Sequence, residues 1–163
     1  MDFAKKTTIL LITVIGWLVG SLSFAADTDM QTYSIVGDWQ TIDHKTNHPS
    51  TIIRIWESKG KYFGKIAKIY EGEGRNPSLR CTSCEGHLRN QHVLGMMIIQ
   101  DMQLQGELYH GGTILDPRSG ERYHCQITLI ENGQKLKVRG YIGFPLLGKV
   151  DVWVRAPQLS SVL

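Results

Sequence analysis

The feature that most limits what this chain can become is its pattern of short β-rich runs separated by turn residues. No sustained 3.6-residue apolar period interrupts it after residue 34. Residues 122–130 show the pattern most plainly: Tyr123, Cys125, Ile127 and Leu129 fall on one face, and His124, Gln126 and Thr128 on the other. The run 135–141 follows after Asn132-Gly133, a pair suited to a hairpin turn. It sets Leu136 and Val138 against Lys135, Lys137 and Arg139. Further runs lie at 35–42, 51–56, 62–70, 93–99, 108–115 and 149–155.

The connections carry their own chemistry. Ser58-Lys59-Gly60-Lys61 reads as a turn, as does Asp116-Pro117-Arg118-Ser119-Gly120, where proline presets φ and glycine accepts a left-handed backbone. Residues 71–92 form one long break rich in glycine, proline and charge. About eight strands joined mainly as hairpins suit an antiparallel up-and-down barrel or a sandwich. No βαβ spacing supports a nucleotide-binding α/β domain, and no cofactor is expected. The chain of 163 residues suffices for one domain, with the barrel over 35–156 and a tail over 157–163.

The first 25 residues are read separately. Lys5 and Lys6 precede an apolar run over 7–20, and Ser23-Phe24-Ala25 forms a small-x-small cleavage signal. Residues 1–25 are therefore expected to be a signal peptide and 26–34 a flexible leader, giving a periplasmic or secreted protein with no membrane span after cleavage. The alternative is an uncleaved anchor, weakened by the serines and threonine at the ends of the run. Cleavage lowers the formal charge from +3 to +2, with Lys and Arg dispersed, so no basic stripe invites nucleic acid.

Gly37-Asp38-Trp39 opens the first strand and Trp153-Val154-Arg155 ends the last. In a closed barrel these strands are neighbours, so Gly37, Trp39, Trp153 and Arg155 are candidates for a closure in which the arginine lies over an indole. Two core tryptophans and a surface arginine are the plainer alternative. The series Gly37-x-Trp39, Asn76-Pro77, Cys81-x-x-Cys84, Gly95-Met96, Gly111-Gly112-x-Ile114-x-Asp116-Pro117, Gly120-x-x-Tyr123, Leu136-x-x-Arg139-Gly140-Tyr141-x-Gly143 and Trp153-x-Arg155 resembles the exported bacterial family known as domain of unknown function 2147. The resemblance spans nearly all of the mature chain and implies a lipocalin-like barrel. It implies no shared activity, and Cys125 lies outside its pattern.

Three functions remain open on the sequence. A barrel of about eight strands is either packed or holds one small ligand. The first reading is accordingly a non-enzymatic carrier of a small apolar or amphipathic molecule, lined by Tyr123, Ile127 and Leu129 with Trp39 at the closed end. The second is an envelope interaction module with a filled barrel. The third centres on Cys81, Cys84, His87 and His92. In an oxidising compartment the two cysteines are first a local disulfide. The set also has zinc-ligand spacing, or the cysteines could form a redox pair. Cys125, on an apolar face, is expected to be a buried inert thiol. His44, His48, His110 and His124 read as surface residues, and no Ser-His-Asp order with a nucleophile elbow occurs.

Overall fold

A computed structural model describes residues 33–72 and 75–157. The expected signal peptide, most of the leader (26–32) and all but the first residue of the tail lie outside the described residues. Among those described, no helix is long and apolar enough to cross a membrane.

Eight strands form a closed antiparallel up-and-down barrel: β1 (Gly37–Ile42), β2 (Pro49–Ser58), β3 (Lys61–Ile69), β4 (Met97–Gln105), β5 (Leu108–Leu115), β6 (Arg122–Ile130), β7 (Lys135–Tyr141) and β8 (Lys149–Arg155). Each strand pairs with the next, and β8 returns to β1 through Trp39↔Arg155 and Gln40↔Val154. The alternation on β6 and β7 has the expected sense, with Cys125, Ile127, Leu136 and Val138 buried and Lys137 exposed. The turn after β6 spans four residues, of which Glu131, Asn132 and Gly133 have positive φ.

Three strands begin or end elsewhere than the sequence pattern implies. β1 starts at Gly37, because the preceding Ile35 is a buried plug outside the ladder. β2 starts earlier, at Pro49, a first-residue position where a missing N–H costs the ladder nothing. The run expected over 93–99 becomes a strand over Met97–Gln105. Val93 and Met96 are apolar because they are buried, yet they belong to the loop; there Gly95 N donates to Ile66 O at 2.7 Å. The strand then continues through polar Gln100, Asp101 and Gln103, with Asp101 at φ 58. Gly112 on β5 lies against this distorted stretch. A Cβ there would come within 2.2 Å of Gln100 O, so only glycine fits.

The interior is filled. Trp39, Ile99, Met102, Cys125, Ile127 and Leu136 are each 0% exposed. Side chains without accessible surface border no space large enough for a water-sized sphere. Tyr62 and Tyr109 meet edge-to-face, with ring centroids 4.8 Å apart.

Candidate functional site at the barrel mouth

Up-and-down connectivity gives the barrel two different ends. At one, the short turns 59–60, 106–107 and 131–134 meet the chain entering β1. The Trp39 indole N–H donates to Ile35 O at 2.7 Å, and the Arg155 guanidinium lies over the indole, 4.2 Å from the ring centroid. Arg155 also donates to Gly133 O at 2.9 Å and to Ser34 O at 3.0 Å. Partial burial lowers its pKa from the ordinary guanidinium value. Gly37 opens β1 beside it, and Trp153 is buried with its indole N–H donating to Asp151 at 2.8 Å. The structure thus brings the four closure residues to one seam. It also ties down the end of the expected leader, because Tyr33 packs against Gly133 and Ser34 holds Arg155.

The other end carries the 43–48 connection, the long loop after β3, the 116–121 turn and the 142–148 loop. Within the long loop, Leu79–Cys81 and Gln91–Val93 run as a small antiparallel ribbon. Cys81 N donates to Gln91 O at 2.9 Å and Val93 N to Leu79 O at 2.8 Å. Cys81 and Cys84 form a disulfide. This knot rests on the 116–121 turn, with Cys81 Sγ 3.1 Å from Pro117 O. That turn is organised by Asp116, whose carboxylate accepts from Arg118 N at 2.9 Å. Gly120, at φ 76, meets the knot directly: a Cβ there would lie 2.1 Å from Ser83 O.

Between these loops lies an open cleft of about 410 Å³, lined by Cys84, Glu85, Leu88, Leu115, Glu121, Arg122 and Ile142, with Gly120 at its base. Leu88, Leu115 and Ile142 supply apolar surface, and Glu85, Glu121 and Arg122 a charged rim. Among the described residues Arg122 donates only to neutral groups, Gln100 and Thr113, at 3.1 and 3.2 Å. Tyr123 stands half-buried at this end and its hydroxyl donates to Glu121, an arrangement that raises its pKa. A second open cleft, of about 370 Å³, lies outside the barrel by Lys68, Tyr70, Pro77 and Leu94.

The expected lining set is therefore divided. Trp39 and Ile127 sit in the packed interior and Leu129 is half-buried against it, whereas Tyr123 is at the mouth. Leu88, Arg122 and Ile142 were not read as site residues. Ile142 belongs to an apolar run, Ile142-Gly143-Phe144-Pro145-Leu146-Leu147, that lacks strand alternation and was the available signal.

A bacterial family described as "Uncharacterized protein conserved in bacteria (DUF2147)" matches residues 37–155, which is β1 through β8. The chain belongs to DUF2147. A solved structure titled "Protein HP1028 from the human pathogen Helicobacter pylori belongs to the lipocalin family" superposes with a TM-score of 0.66 at 20% identity. The likeness covers 78% of this chain and 86% of that one, and it is a likeness of fold. No curated protein matches the sequence.

In this DUF2147 barrel the cysteine loop takes one of its three expected forms. Sulfurs joined to each other are not thiolates, so the zinc reading through Cys81, Cys84, His87 and His92 loses two ligands. His87 and His92 are exposed, and no cluster of three metal-ligating side chains occurs among the described residues. A redox role meets a steric obstacle, because Cys81 and Cys84 are 0% and 3% exposed and an attacking thiolate must reach a sulfur. Cys125 is free and buried, and desolvation pushes its thiol up to about 12.

Proposed function

We propose that this DUF2147 member is an exported, non-enzymatic binding protein that takes a small amphipathic molecule at the barrel mouth. The observation that carries the reading is the cleft of about 410 Å³, lined by apolar Leu88 and Leu115 and by a cation, Arg122, that has no carboxylate partner among the described residues. Amphipathic molecules need apolar and charged surface side by side, and here Leu88, Leu115 and Ile142 share the lining with Glu85, Glu121 and Arg122. The packed interior around Trp39 and Ile127 supports binding at the mouth over deep inclusion. The disulfide supports an oxidising compartment. The one free thiol, kept neutral by burial, argues against catalysis by a cysteine thiolate.

The test is native mass spectrometry of protein recovered from the cell envelope. The expected result is a small-molecule adduct, lost on denaturation, whose occupancy falls at least about tenfold in Leu88→Asp, since an unpaired charge facing an apolar ligand costs more than about 1.4 kcal/mol. An adduct-free wild type, or an adduct indifferent to Leu88→Asp in a variant that melts normally, overturns the reading. The near-complete burial of the interior side chains favours a second reading, a filled structural barrel at the envelope. An adduct-free protein would leave that reading standing.

A further inference from the structure

The loop joining β7 to β8 exposes more apolar surface than any other connection described. Phe144, Leu146 and Leu147 are 76%, 86% and 81% exposed, and Ile142 is 70% exposed. No charged residue lies between Tyr141 and Lys149. A long flexible connection of this composition would collapse onto the barrel; this one is held out by its own geometry. Pro145–Leu147 form a 3-10 turn in which Leu147 N donates to Phe144 O at 3.2 Å and Gly148 N to Pro145 O at 3.1 Å. Arg139 Nη1 donates to Pro145 O at 2.9 Å, bracing the turn from β7. The tip residue Pro145 has no N–H to satisfy.

From this geometry we infer that the 142–147 loop is a docking tip that enters the surface of an anionic lipid layer. Three observations select that occupant. The tip is apolar, and its turn pairs Leu147 N with Phe144 O and Gly148 N with Pro145 O while Arg139 caps Pro145 O, so the exposed side chains are presented on a defined turn. The strands that carry it bear Arg139 and Lys149 at its base, and neither has a carboxylate within salt-bridge distance among the described residues. Apolar tip above, cations below and Tyr141 beside them reproduce the layering of a bilayer surface, with side chains in the acyl boundary and cations at the phosphates. The acids nearest by in the adjoining cleft are Glu85 and Glu121, the latter already holding the Tyr123 hydroxyl. This inference does not depend on the cleft holding a ligand.

The experiment is flotation of envelope-purified protein with vesicles containing phosphatidylglycerol, against vesicles of phosphatidylcholine alone, with analytical ultracentrifugation in parallel. The wild type is expected to float with the anionic vesicles and to lose that binding as salt rises. Phe144→Ser with Leu146→Ser and Leu147→Ser is expected to reduce partitioning roughly tenfold or more, and Lys149→Glu to reduce it on anionic vesicles only. Because these positions are exposed, all variants should melt with the wild type. A Phe144→Trp variant supplies an independent readout, its added emission quenched by brominated lipid. Wild-type and triple-variant protein floating equally well would place the contact elsewhere and overturn the inference. A dimer that dissolves in the triple variant, with no flotation of the wild type, would overturn it in favour of a second copy of this chain.

Discussion

At the end where β1 begins, Ile35 and Trp39 have no exposed surface, and the cation beside them, Arg155, is fully engaged with an indole and backbone carbonyls. At the mouth, Phe144, Leu146 and Leu147 stand in water, while Arg122 and Lys149 have no carboxylate partner among the described residues. The same residue types are used at both ends, aromatic, aliphatic and arginine. At the first end they satisfy each other; at the mouth the Arg75–Asp43 pair is part-buried, but Arg122 and Lys149 have no carboxylate and the exposed 142–147 side chains no cover among the described residues. Apolar surface and unpaired charge kept together in solvent lower the stability of nothing nearby, but they are available to bind. The contacts that hold the barrel closed and the surface proposed to bind thus lie at opposite ends of one barrel.

If that division is right, substitutions should rank by end. Trp39→Ala, which empties the largest buried side chain, is expected to cost about 3–5 kcal/mol in denaturant unfolding; a loss under about 1 kcal/mol would mean that the plug is not structural. Arg155→Ala is expected to cost about 2–3 kcal/mol, since two part-buried carbonyls lose a charged donor and the indole loses its cation. A double-mutant cycle with Trp39→Phe should return coupling of at least about 0.5 kcal/mol, and strict additivity would break the pairing. Cys81→Ser with Cys84→Ser should cost about 2 kcal/mol or less, because a ring spanning a sequence separation of 3 constrains little of the unfolded chain. Loss of the whole fold would make the mouth as structural as the plug. The triple serine variant of the 142–147 loop should shift stability by no more than about 0.5 kcal/mol, checked by thermal melting.

Much of the plug end could be read from the sequence. Trp39 and Arg155 sit at the start of the first strand and the end of the last, and a closed barrel makes those positions neighbours whatever the loops do. The β6 alternation is equally plain, because its outward residues from Arg122 to Thr128 are polar and only Ile130 at the strand end breaks the pattern. β4 was misplaced by four residues at its start, since burial makes loop residues Val93 and Met96 as apolar as strand residues, while the left-handed bend at Asp101 hides the strand inside a polar run. Whether the interior was hollow could not be read, because filling depends on how side chains from all eight strands interdigitate across the axis. The mouth loop was visible as composition only. Ile142 through Leu147 would read identically if they were buried, because exposure depends on how the folded loop, braced by Arg139 at Pro145 O, sits against the barrel.

The seam between β1 and β8 also sets an order of events. Its contact from Arg155 to Ser34 spans 121 residues of chain, whereas the β6–β7 ladder closes over a four-residue turn. Joining such distant segments carries a loop-closure entropy that the local hairpins do not, so the ring should shut after its staves are formed. A late-forming contact holds the native state without helping to reach it. Arg155→Ala should therefore accelerate unfolding severalfold and leave the refolding rate within about twofold, while Val138→Ala in the β7 stave should slow refolding. In a chevron plot the first would move one limb and the second the other. What closes this barrel would then govern how long it survives, and little of how fast it forms.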